Sequence, residues 1–200
     1  MALIGYRFED KDDIRPFCEK FPESFEALAS ADAEESKDAV NEQLSSFKWG
    51  LDLSRRYKAW VVCGYAEVDD AGNLFNSAFL INHDLGKIHN TRKVLLYSDD
   101  TKWCELEEKV SGIENNFQSF TLEFPRLERE VKCGVGICMD INVKDFEQER
   151  FQKNEAVLAD HQIAQDNQLL IFIGAWCDPT PNPKIPDEKQ RQTQTTNYWV

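Results

Sequence analysis

The sequence has 200 residues, 36 acidic against 23 basic side chains, a net charge of −13 and 42% apolar residues, including 13 Phe and 5 Trp. That apolar content is enough for a packed core and rules out a wholly disordered chain, and the length fits one domain or part of a larger one. The acidic balance argues against a nucleic-acid or anionic-membrane surface, which needs clustered Lys and Arg, and no apolar run approaches the roughly 18 residues of a membrane helix.

The apolar start Met1–Gly5 is too short for a secretory core, and Glu9-Asp10 follow it closely. Six cysteines occur, at 18, 63, 104, 133, 138 and 177, with no C-x-x-C pair. Without a signal peptide they are expected as reduced thiols in a cytoplasmic or nuclear protein, with one able to act as a nucleophile and the rest packing as small hydrophobes.

Residues 1–23 read as a loop-rich entry broken by Pro16 and Pro22, and Ala29–Asp38 as an exposed helix end or an insertion. From Ser36 the apolar spacing turns helical. Val40, Leu44, Phe47 and Leu51 recur at four and three and predict a helix to about Lys58, although Gly50 interrupts it. Ala59–Tyr65 is nearly all apolar and predicts a strand buried on both faces. A turn at Asp69–Asn73, a strand over Leu74–Ile81, a turn at Asp84–Gly86 and an extended Lys87–Leu96 predict a hairpin with a third strand. Ser98–Asn116 is polar and loop-like. Phe120, Leu122 and Phe124 alternate before Pro125, and Glu130–Ile137 predicts the next strand. Phe146–Ala164 has a helical period, Gln168–Ile173 predicts a further buried strand, and residues 178–197 read as a loop or tail. Strands neighbouring strands, then alternating with helices, predict a layered α/β domain with its chemistry at strand ends.

Cys138 follows an apolar strand on a turn flanked by Gly134 and Gly136. Such a turn exposes a side chain and aims helix N–H groups at it, which lowers a thiol pKa; taken alone, a buried core cysteine is the plainer reading. Lys93 ends an extended segment against Val94-Leu95-Leu96 and suits an oxyanion-stabilising cation; taken alone, a snorkelling surface lysine is the plainer reading. Glu67, just past a strand, reads as a satisfied structural carboxylate, and Asp99-Asp100 as a solvated loop pair. His83, His89 and His161 form no metal-ligand spacing, and the glycines match neither nucleotide-binding pattern.

Together these segments resemble the nitrilase (carbon–nitrogen hydrolase) superfamily, whose pattern runs from a strand ending F-P-E, through a hairpin ending Y-R-K, to a strand ending G-x-x-I-C-x-D. Asn76-Ser77-Ala78 and Gly86–Leu96, with Lys93 in the lysine's place, resemble the second block; Gly134-Val135-Gly136-Ile137-Cys138-Met139-Asp140 resembles the third; Gly174-Ala175-Trp176 resembles a segment beyond it. Within the superfamily, Ala2–Phe8, Tyr97–Trp103 and Asn197-Tyr198-Trp199 resemble the eukaryotic amidohydrolases that deamidate N-terminal asparagine of proteins.

The resemblance implies an α-β-β-α sandwich, incomplete in this chain, without metal or organic cofactor. It implies Cys138 as nucleophile, Lys93 and the backbone N–H of Met139 as oxyanion donors, and a glutamate as general base. Tyr6 and Trp176 are implied as pocket walls, with ordinary packing as the plainer reading of both, and Asp100 as a reader of the substrate's α-amino group. The implied substrates are protein or peptide N-termini bearing Asn or Gln, feeding the N-degron pathway, and association into homo-oligomers is a further implication. In the family, four residues separate the glutamate from Gly-Tyr; ahead of Gly5-Tyr6 stand only Met1–Ile4, which puts that glutamate immediately before Met1. Phe21-Pro22-Glu23 spells the motif, but no buried strand precedes it and no Gly-Tyr follows at the right distance. The expectation is a partial domain over 1–200 that is poorly soluble and has little or no activity. Another nitrilase-class amidase acting on a small free amide, or a non-catalytic binding module, stays open as an alternative.

Overall fold

The computed structural model describes residues 3–5, 7–34, 46–112, 117–142 and 157–175. Helix α3 (Ser46–Tyr57) shows how the layers form. Phe47, Gly50, Leu51 and Ser54 recur at three and four and are its buried face. That face lies on β1 (Val61–Val68) and β2 (Leu74–Asn82), where the Phe47 ring stands 4.8 Å from Tyr65 and 4.7 Å from Phe79. Lys58, at φ 52°, ends the helix, so β1 starts two residues later than the apolar run predicts. Helix α2 (Phe25–Glu34) adds Phe25 and Leu28 to the same core, behind the short α1 (Lys11–Ile14) that Asp10 caps through the Asp12 and Asp13 N–H groups.

β2 is the central strand of an antiparallel sheet with β1 on one side and β3 (Lys87–Arg92) on the other. All nine of its residues are buried, because both its faces are covered. Phe79 and Ile81 face the helices, while Leu80 faces a second sheet. That second sheet pairs β4 (Ser119–Phe124) antiparallel with β5 (Arg129–Ile137), and β5 parallel with β6 (Leu169–Ile173). Leu80, Leu122, Cys133 and Val135 form the core between the sheets, and the Trp60 indole N–H donates across the gap to the Glu123 carbonyl at 3.0 Å. Phe8, Ile14 and Trp103 cover Ala66 and Leu74 at the far end of the first sheet.

On the outer side of the second sheet lies α5 (Val157–Ala164). A side chain at Gly136 would come within 2.6 Å of Leu158 Cδ2, so glycine there lets the helix pack closely on the sheet with Leu158 where it stands. The layer order is therefore α-β-β-α, the sandwich that the resemblance implies.

Two expectations need correction. The polar stretch 98–116 holds a 3-10 turn, Asp100–Lys102, and α4 (Glu107–Ser111), which Gly112 ends at φ 69°. The strand at 169–173 is not buried: its one described neighbour is β5, and Leu169 and Leu170 stay 41% and 42% exposed. The predicted helical residues 36–45 and 146–156 and the tail 178–197 lie outside the described residues.

Candidate active site

The inner face of the first sheet carries the first half of the site. Asn76 on β2 and Lys93, directly after β3, sit side by side, with the Lys93 N–H donating to the Asn76 carbonyl at 2.8 Å. The Lys93 ammonium is fully buried and donates to Asp100 Oδ2 at 2.5 Å. Asp100, equally buried, also accepts from Asn76 Nδ2 at 3.0 Å and from the Tyr97 N–H at 2.8 Å. Asp100 is thus part of the site and not a solvated loop residue: the 3-10 turn folds it inward beneath the lysine.

The second half comes from the other sheet. β5 ends at Ile137, and Cys138 opens the turn Cys138–Ile141 with φ 50°. A non-glycine residue in that left-handed conformation costs of order 1 kcal/mol or more and persists only where its surroundings enforce it. Asp140 closes this turn. Its carboxylate is 1% exposed and accepts from Ile137 N–H at 2.8 Å on one oxygen, and from Val94 N–H at 3.1 Å and Leu95 N–H at 2.7 Å on the other.

Burial pushes the Cys138 thiol up; the Lys93 charge and the Met139 N–H pull it down, and the Asp100 and Asp140 charges push it further up. The Asp140 carboxyl is pushed up to about 6 by burial, against the Leu95, Ile137 and Val94 N–H groups and the Lys93 charge that favour its ionised form. The arrangement is a partly buried thiol in the field of a buried cation.

Cys138, Lys93, Met139 and Asp100 are thus brought to one place. Tyr6 and Trp176 lie outside the described residues. Glu23 is exposed and belongs with the helical layer, since Phe21 and Phe25 on either side of it pack on the outer core. Glu67 faces the helical side, where it accepts from Ser77 Oγ at 2.5 Å, Asn90 Nδ2 at 3.0 Å and Arg92 Nε at 3.1 Å, a satisfied structural carboxylate. Asn76 and Asp140 fall within the motifs that carry the resemblance, and the sequence alone assigns neither a role. A polar residue facing inward on a buried strand was the available signal for Asn76. A cavity of about 570 Å³ with Glu9, Asp10, Asp13, Asp99 and Lys102 among its lining opens one residue along from Asp100, and Cys138 is no part of its wall.

Among the described residues no group of three or more His, Cys, Asp and Glu side chains is placed to hold a metal ion, and no helix is long and apolar enough to cross a membrane.

Residues 20–146 match the carbon–nitrogen hydrolase family profile. The chain is 28% identical over 190 residues to the protein N-terminal amidase of Saccharomyces cerevisiae, an alignment covering 90% of this chain and 35% of that protein. It is 22% identical over 211 residues to the protein N-terminal amidase of Schizosaccharomyces pombe, covering 100% of this chain and 63% of that one. The chain therefore spans between about a third and just under two thirds of the length of these relatives. A crystal structure of an N-terminal amidase with an Asn-Glu-Ala peptide superposes with a TM-score of 0.62 at 22% identity, over 99% of this chain and 43% of that one, a likeness of fold.

Proposed function

Because the chain belongs to the carbon–nitrogen hydrolase family, we propose that it carries the nucleophile and oxyanion half of an amidohydrolase that converts the side-chain carboxamide of an N-terminal Asn or Gln, on a protein or peptide, to the carboxylate. The observation that supports this best is the meeting of two sheets at Cys138 and Lys93: a cysteine on a strained turn, beside a cation that Asp100 holds in place. The alignments with two N-terminal amidases support the choice of substrate.

In this reading Cys138 Sγ attacks the carboxamide carbon after giving up its proton. Lys93 and the Met139 N–H hold the tetrahedral oxyanion. The C–N bond breaks, ammonia leaves with a proton from the base, and a thioester remains on Cys138. Water, deprotonated by the same base, then hydrolyses the thioester and frees the thiol. The base is the glutamate that the family pattern puts immediately before Met1. Asp100 and Asp140 do not take that part, since each is buried and committed to the donors named above. Asp100 acts here by positioning Lys93 and not by reading the substrate's amine.

The test assays ammonia release and mass change with an Asn-Glu-Ala peptide, with its Gln counterpart and with a free glutarate-type amide. It uses the 200-residue chain and a chain extended by any in-frame codons that encode Phe-Pro-Glu ahead of Met1. The extended chain is expected to deamidate the peptides, the 200-residue chain to be slower by roughly 10²–10⁴-fold, and Cys138→Ala to stop both. Turnover of the small amide alone, or turnover surviving Cys138→Ala, overturns the proposal.

A further inference from the structure

We infer that Asp140 is a positioning residue: its carboxylate clamps the turn that carries Cys138 to the turn that follows Lys93, and so sets the lysine's charge against the thiol. The inference rests on the proposed reading of Cys138 as nucleophile and Lys93 as its cation. The two groups belong to different sheets. Lys93 is fixed within the first sheet, through its N–H to Asn76 and its ammonium to Asp100. Cys138 is fixed within the second, at the end of β5. Their separation therefore depends on what joins the sheets at this point.

Asp140 joins them. One oxygen accepts from Ile137, the residue before Cys138, and closes the strained turn on itself. The other accepts from Val94 and Leu95, the two residues after Lys93. One buried carboxylate thus holds three N–H donors from both halves of the site, and charge-assisted bonds of this kind are about twice as strong as neutral ones. The chemistry is specific to a carboxylate. An asparagine has a single acceptor oxygen, so its NH₂ would face either the Ile137 N–H or the Val94 and Leu95 pair, donor against donor.

The experiment follows the thiol and not turnover, so it does not depend on the general base. Alkylation of Cys138 by iodoacetamide, resolved by peptide mass spectrometry, is measured against pH in the full chain, Lys93→Met, Asp140→Asn and the double variant. Lys93→Met is expected to raise the Cys138 midpoint, since it removes a nearby positive charge. In the Asp140→Asn background that rise should shrink by roughly half or more. A merely structural role would lower stability but leave the Lys93 effect intact, so an equal rise in both backgrounds overturns the inference. No rise in either overturns the site reading on which it rests. Amide exchange on the unaltered chain is the second arm and stands even where Asp140→Asn does not fold. The Ile137, Val94 and Leu95 amides are expected to be protected to a similar degree; Val94 and Leu95 exchanging at open-chain rates overturns the clamp.

Discussion

At the scale of residues, the buried pair Lys93–Asp100 carries the largest electrostatic risk. Both side chains are fully buried, with their charged atoms 2.5 Å apart. Ionised groups leave water at a cost of several kcal/mol each, recovered only while both partners are present. Lys93→Met removes the cation paired with Asp100 and leaves that carboxylate's charge in the interior, where Asn76 Nδ2 and the Tyr97 N–H are among its donors. It should therefore destabilise the fold by about 3–5 kcal/mol, beyond any effect on activity. Asp100→Asn in the same chain removes the stranded charge, so the double variant should recover part of that loss. Urea unfolding of the two single variants and the double checks this; strictly additive losses would mean that the pair is not coupled. Cys138 and Lys93 were legible in the sequence through the order of the strand-ending blocks. Asp100 was legible as a place near the site but not as the lysine's partner, and Asp140 only as a letter of a motif. The reason is range: Asp140 meets Val94 across 46 positions and Asn76 meets Asp100 across 24, and no local period encodes such contacts.

At the scale of elements, α3 shows both what periodicity reveals and where it misleads. The three-and-four spacing of Phe47 and Leu51 foretold the buried face, and alternation foretold β2 and β4. Gly50 looked like a flaw in the helix. It is instead a place of close approach, where a Cβ would stand 2.7 Å from Phe79 Cε2 and 2.9 Å from Cζ. Propensity alone says that Gly50→Ala should stabilise the helix by about 1 kcal/mol. The Phe79 ring is fully buried and hemmed in by Phe47 and Tyr65, so it has little room to yield. Overpacking of this kind costs typically 1–3 kcal/mol, and the steric term should win. Gly50→Ala is expected to lower the melting temperature; a rise would show that the ring moves aside. The misreading of β6 has a different source. An apolar run of five residues shows that a strand can be buried, but the number of neighbouring strands decides whether it is, and that number is a property of the assembled sheet.

At the scale of the whole molecule, the question is whether the two sheets stand or fall together. Order within each is local: β1 to β3 form a hairpin chain, and β4 and β5 form a hairpin. Among the described residues, the contacts that join them include the apolar layer of Leu80, Leu122, Cys133 and Val135, the Trp60–Glu123 hydrogen bond, the Lys87–Glu123 ion pair and the Asp140 carboxylate. The ion pair is more than a third exposed on both sides and contributes little, so the apolar layer and the buried bonds carry the joint. Leu122 is 1% exposed and sits in that layer from the β4 side. Leu122→Ala should cost about 2–5 kcal/mol, the transfer free energy of the lost carbons plus the cavity they leave. If the layer makes one cooperative unit, exchange should accelerate equally at the Ala78 amide in β2 and at the Val135 amide in β5, although the substituted residue itself belongs to β4. If Val135 loses protection and Ala78 keeps it, the first sheet and its helices are a separate foldon. The site would then be assembled from two bodies that open independently. The distance between Lys93 and Cys138 would then be set by an equilibrium between them and not by a fixed scaffold.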